Sequence, residues 1–219
     1  MKKLLTIVFG FVLVCFSVNA IEKKIGFTAA LTDFESSGTE TLKSSSNKTS
    51  ADVSEQVIVP SLFFEITNDS GLGIGLDFVP GDADLGSKQK AKVDTDTDDK
   101  SDTAGTNKAS AEVSGHSTIY LMVPVKAAFL KVGYVSADIE TTENLDTGTT
   151  YGNKTVNGTM ISVGIDRDMP NGSFIRAEVA YTDYDDITLS GSADTDGASN
   201  KVDADVDATS LRLSIGRAF

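Results

Sequence analysis

Ser210-Leu211-Arg212-Leu213-Ser214-Ile215-Gly216-Arg217-Ala218-Phe219 sets apolar side chains at alternate positions and ends in an aromatic ring. Successive side chains of an extended strand point to opposite faces. Leu211, Leu213 and Ile215 therefore share one face, and Arg212 stands on the other. The same period of two recurs along the chain and predicts seven more strands. Residues 24–33 put Ile25, Phe27, Ala29 and Leu31 on one face; residues 55–67 do so with Ile58, Leu62, Phe64 and Ile66. Residues 72–78, 114–123, 127–139, 159–167 and 173–184 repeat the pattern, and the eighth strand spans 207–219.

The connections alternate in length. Residues 68–71, 123–126 and 168–172 are tight turns rich in Asn, Asp, Gly and Pro. Between them lie long segments rich in Ser, Thr, Asp and Gly, at 34–53, 79–113, 140–158 and 185–206. Four such loops are uncommon in a compact soluble domain. An outer-membrane barrel has this asymmetry by construction, with an even strand number, short periplasmic turns and long extracellular loops. A tilted membrane strand needs roughly 9–11 residues, which most of the runs supply. The third is short unless it continues past Pro80. The expected fold is all-β: an eight-stranded antiparallel up-and-down transmembrane β-barrel.

Period two does not say which face is inside; the opposite face does. Opposite the apolar rows lie Lys24, Glu65, Asp77, Lys131, Asp166, Arg176, Glu178 and Arg212, four bases and four acids. A solvated face needs no such balance, whereas charges in a narrow interior must be paired. These residues are expected to form a lumen charge network, with Arg176 and Arg212 as cations and Glu65, Asp77, Asp166 and Glu178 as partners. The planar fork of Arg suits bidentate carboxylate binding. A structural plug is favoured over a gate, because eight strands enclose an interior that side chains just fill.

The final strand resembles the C-terminal strand of outer-membrane proteins, which ends in Phe after alternating apolar residues. The resemblance implies that Leu211, Leu213, Ile215 and Phe219 form a signal read by the barrel assembly machinery. Arg217 departs from the pattern; at a membrane edge its long side chain can snorkel. Residues 21–219 as a whole resemble the small barrels of the OmpA/OmpX/opacity-protein (porin-family β-barrel) type. The resemblance is one of architecture, with no subfamily motif.

Composition narrows the remaining functions. Of 219 residues, Lys+Arg number 19 and Asp+Glu 32. Residues 1–20 read as a cleaved signal peptide: Lys2-Lys3, an apolar stretch over 4–18, and the small-residue site Val18-Asn19-Ala20. The barrel domain, 21–219, then carries 17 bases against 32 acids. Such a chain lacks the bases that neutralise phosphate, so no nucleic-acid partner is expected. Cys15, the single cysteine, lies in the signal, which removes disulfides and thiolate metal sites from the expected domain. No cofactor is expected, and a monomer is. Most of the acid excess lies in the four long segments. There Asp94, Asp96 and Asp98 are weak candidates for a divalent cation, but a calcium loop would need Gly at position 99 and Glu at 105, where Asp99 and Gly105 stand.

His116 is the single histidine. A Ser–His–acid hydrolase site would have to use it with Ser114 or Ser117, yet Ser117 points to the opposite face and no Gly-x-Ser-x-Gly elbow exists. His116 reads as a polar residue at the barrel rim, and no enzyme is expected. The sequence thus predicts an integral barrel of a Gram-negative outer membrane. Its expected role is structural and surface-presenting, with a plugged lumen, acidic loops, and membrane lipid and lipopolysaccharide as partners. The alternatives are a small passive porin-like channel and, more weakly, a lipid A or peptide hydrolase.

Overall fold

The structure is a computed structural model and describes residues 21–41, 48–92, 105–144, 150–192 and 200–219. Alternating apolar and polar residues rich in Val, Ile, Phe and Thr suit strands with two different faces. They form β1 (Ile21–Thr41), β2 (Lys48–Asn68), β3 (Gly73–Phe78), β4 (Ala83–Lys92) and β5 (Gly105–Val125). Then come β6 (Ala128–Asn144), β7 (Lys154–Asp168), β8 (Ser173–Tyr184), β9 (Ile187–Ser190) and β10 (Lys201–Ala218). The antiparallel ladder runs β1-β2-β3-β5-β6-β7-β8-β10, and β10 returns to β1, from Lys24↔Ala218 to Thr41↔Lys201. β4 continues the β3 stave along β5, and β9 continues the β8 stave along β10. The result is a closed barrel of eight staves, which leaves no long free edge along most of its wall.

The apolar rows face outward. Ile58 is 73% exposed and Leu213 60%, while Glu65 and Phe174 are fully buried inside. This inversion suits a barrel surrounded by lipid, whose strands alternate apolar-out and polar-in. Leu211, Ile215 and Phe219 also face outward. The short turns cluster at one end. Asn68 Oδ1 accepts from the amides of Ser70 and Leu72, and Gly71 (φ +80°) closes that turn. Lys23 and Phe219 exchange backbone hydrogen bonds at the same end.

Three expectations change. First, the long segments are largely strand: β1 runs to Thr41 rather than 33, β2 begins at Lys48 rather than 55, and β10 begins at Lys201 rather than 207. Above the apolar belt the outward face turns polar, while the inward face carries residues such as Phe34, Val57 and Val206, so the lipid-facing period ends while the backbone ladder continues. Hydroxyl pairs such as Thr39–Ser50 (2.9 Å) link these extensions. Second, the third stave does continue past Pro80, but only after a break. Pro80 has no amide proton and Gly81 sits at φ +87°. The β2–β3 ladder stops at Leu62↔Phe78. Among the described residues, β2 beyond that point pairs only with β1, and β4 only with β5. Among the described residues no ladder joins β2 to β4, which leaves a seam in the described wall there.

Third, β5 carries a bulge. Ser114 pairs with Asp138 and Ser117 with Ser136, so Gly115 and His116 together face one residue, with Gly115 at φ +59°. A glycine in the left-handed region is the usual first residue of such a bulge. It keeps His116 in phase with Thr118 and Tyr120 and turns Val113 to the same interior face. The expected signal at 1–20 and the acids Asp94, Asp96 and Asp98 lie outside the described residues.

Candidate functional site

The interior divides into two levels. Near the short turns, Arg176 reaches across from β8 and donates to both oxygens of Glu65, through Nη1 (2.9 Å) and Nη2 (3.0 Å). Its Nε donates to Asp166 Oδ1 at 2.6 Å and its Nη2 to Asp166 Oδ2 at 2.9 Å. One guanidinium thus grips two carboxylates in bidentate fashion, a geometry that Lys cannot supply. Arg212 of β10 donates to Asp77 and lies 3.5 Å from Glu178. Lys131 of β6 donates to Glu178 at 2.6 Å, and Lys24 lies 3.7 Å from Asp166. The structure therefore brings together all eight charged residues singled out in the sequence. Lys24, Glu65, Asp77, Lys131, Arg176 and Glu178 are buried; Asp166 and Arg212 are partly so.

The sequence reading missed the aromatic half of this level. The Arg176 guanidinium lies 4.9 Å from the ring centre of Phe129, 5.2 Å from Phe63 and 5.6 Å from Phe174. Lys131 lies 4.4 Å from the Tyr120 ring, whose hydroxyl donates to Glu65 at 2.9 Å. Such cation–ring contacts add to the ion pairs when desolvated. A signal existed: each inward ring faces a glycine directly across the ladder. The pairs are Gly26↔Phe63, Gly75↔Tyr120, Phe129↔Gly164 and Gly216↔Phe174. A Cβ at Gly26 would stand 2.6 Å from the Phe63 ring. The bare backbone leaves room for rings to lie flat across the lumen.

Above the charges the interior opens into a cup of about 300 Å³. Its wall is mostly apolar and includes Val59, Val79, Val156, Met160, Ile187 and Ala208. The floor is polar: Ser61, His116, Thr118, Ser210 and Arg212 line the cup from below. His116 is therefore not at the rim. The β5 bulge and the backbone bond from Val79 N to His116 O fix it at the floor, where its Nε2 and the Tyr184 hydroxyl share a 3.0 Å hydrogen bond. Two floor atoms, Ser61 Oγ and His116 Nδ1, are buried without a partner among the described residues. No cluster of three or more metal-ligating side chains occurs among the described residues.

No protein-family model matches the chain, and no curated sequence does. Solved structures do. The outer membrane protein OprG from Pseudomonas aeruginosa superposes with a TM-score of 0.61 at 15% identity, covering 92% of this chain and 97% of that one. The fold is that of a small outer-membrane β-barrel. The outer membrane protease OmpT from Escherichia coli matches with a TM-score of 0.55 at 8% identity, covering 93% and 99%. At such identities the likeness is one of fold, and one scaffold of this kind carries unrelated functions. The exposed apolar belt is a surface suited to lipid, and the long strand extensions stand at the end opposite the short turns.

Proposed function

We propose that this outer-membrane barrel captures small, mainly apolar molecules in its outward-facing cup, and that its lower lumen is a plug rather than an ion path. The single observation that carries the reading is the stacking of the two levels: an apolar-walled cavity directly above a floor of paired charges. About 300 Å³ is at the lower end of small-molecule sites, which run to ~1,000 Å³ and are lined mainly by apolar side chains. The seam between β2 and β4 supports a sideways exit, because a molecule stopped by the plug has the bilayer beside it. A purely structural role leaves the cup without a purpose, and a passive porin needs a wet path through the charges. A hydrolase would act through His116, whose described partner is the Tyr184 hydroxyl. Export by a signal at residues 1–20 and reading of Leu211, Leu213, Ile215 and Phe219 by the assembly machinery belong to the same proposal.

The test is binding of naphthalene to the refolded barrel in lipid nanodiscs, with empty nanodiscs subtracted. Wild type is expected to bind saturably. Ala208→Trp, which fills the cup, is expected to abolish that binding while heat-modifiable gel mobility still reports a folded barrel. Equal uptake by wild type, Ala208→Trp and empty discs would overturn the reading. Lipid A or peptide cleavage lost in His116→Ala would replace it with the hydrolase.

A further inference from the structure

We infer that the floor of the cup is a head-group site, and that the ligand is an uncharged amphiphile: an aliphatic or aromatic body carrying one hydroxyl or carbonyl group, bound head-down. The inference rests on the cup being a binding site and adds the chemistry of what it holds. Its first support is the pair of orphaned polar atoms. Ser61 is only 2% exposed, yet its Oγ has no described partner, and the same holds for His116 Nδ1. A buried polar atom left unpaired is destabilising, so two lining one cavity point to a polar occupant. Register places them together. Leu62 pairs with Phe78, Phe78 with Ser117, and Val79 donates to the carbonyl of His116. Ser61 and His116 therefore flank Val79 on adjoining staves.

The second support is charge. Arg212 is the cation lining this floor, and it is already engaged by Asp77 and Glu178. Glu55 also lines the cup, and the extracellular segments are strongly acidic. A carboxylate head would meet acids on the way in and no free cation at the floor. A hydroxyl both donates and accepts, and a carbonyl accepts. Ser61 Oγ, donor and acceptor, and the imidazole nitrogen, either one by tautomer, complement such heads. The apolar body would lie along Val59, Val79, Val156, Met160, Ile187 and Ala208.

Three probes of equal chain length separate the possibilities: 1-octanol, octanoate and octane, titrated by calorimetry into the refolded barrel in nanodiscs. Wild type is expected to bind octanol about tenfold more tightly than octanoate. Ser61→Ala and His116→Phe are each expected to weaken octanol by roughly five- to tenfold and to leave octane unchanged. Ser61→Ala guards against misfolding, since the Ser61 hydroxyl bonds no described partner. Unchanged octanol affinity in both variants, or octanoate binding best, overturns the head-group site while leaving the cup intact. Octane and octanol both failing to bind wild type would instead remove the cup reading on which it stands.

Discussion

At the scale of single residues, Arg176 organises the lower lumen. It is 2% exposed, touches Glu65 and Asp166 through four hydrogen bonds, and lies among three phenyl rings. Removing one member of a buried charge set strands the others in a medium that disfavours charge. Arg176→Ala should therefore cost about 3–5 kcal/mol in urea unfolding of the refolded barrel. Glu65→Ala placed on top should recover part of the loss, because one stranded carboxylate is then gone. Arg176→Lys should be intermediate, since a point charge cannot fork two carboxylates at once. A loss below about 1 kcal/mol for Arg176→Ala, the range of an exposed pair, would show that water reaches and solvates this level.

At the scale of strands, the ladder is set by what each cross-strand pair can fit. Gly75 stands opposite Tyr120, and a Cβ built there would run into the Tyr120 ring and hydroxyl. Gly75→Ala should destabilise the barrel by about 1–3 kcal/mol through overpacking. In a Tyr120→Leu background the same change should cost less; the coupling, read from a double-mutant cycle, measures the clash. Additive costs would mean that strain at Gly75 comes from the backbone instead. The same pairs explain what was legible in the sequence. Within the bilayer, outward residues such as Ile161, Val163 and Ile165 must be apolar, so period two survives and locates the strands. The eight charged residues stand out for the same reason, being polar where every second neighbour is greasy. The strand extensions were not legible, because above the belt the outward face is no longer apolar and the apolar residues, such as Val57, Val59 and Val206, move to the inward face. Nor was the cup. The Gly115 bulge shifts the phase of β5, so Val113 and His116 share a face that strict alternation would separate. Glycine-for-ring complementarity also needs the register, which the sequence does not state.

At the scale of the whole molecule, the barrel is closed at one level and open at another. Eight strands leave little interior to spare, and here rings and ion pairs occupy it. Phe174 and Glu65 are fully buried and Arg176 nearly so, which leaves no described gap for hydrated ions at that level. Single-channel recording of refolded wild type in a planar bilayer should therefore be silent, with heat-modifiable mobility confirming the fold. Arg176→Ala/Arg212→Ala removes the two guanidinium groups that hold Glu65, Asp166, Asp77 and Glu178. The carboxylates left behind should draw in water and cations, so the double variant should show openings with cation preference. Filling the cup with Ala208→Trp should leave wild-type silence unchanged, because the cup lies above the seal and not in series with a conducting path. Steady openings in wild type that Ala208→Trp suppresses would reverse that order. The cup would then be the vestibule of a small porin, and the charges its filter rather than its plug.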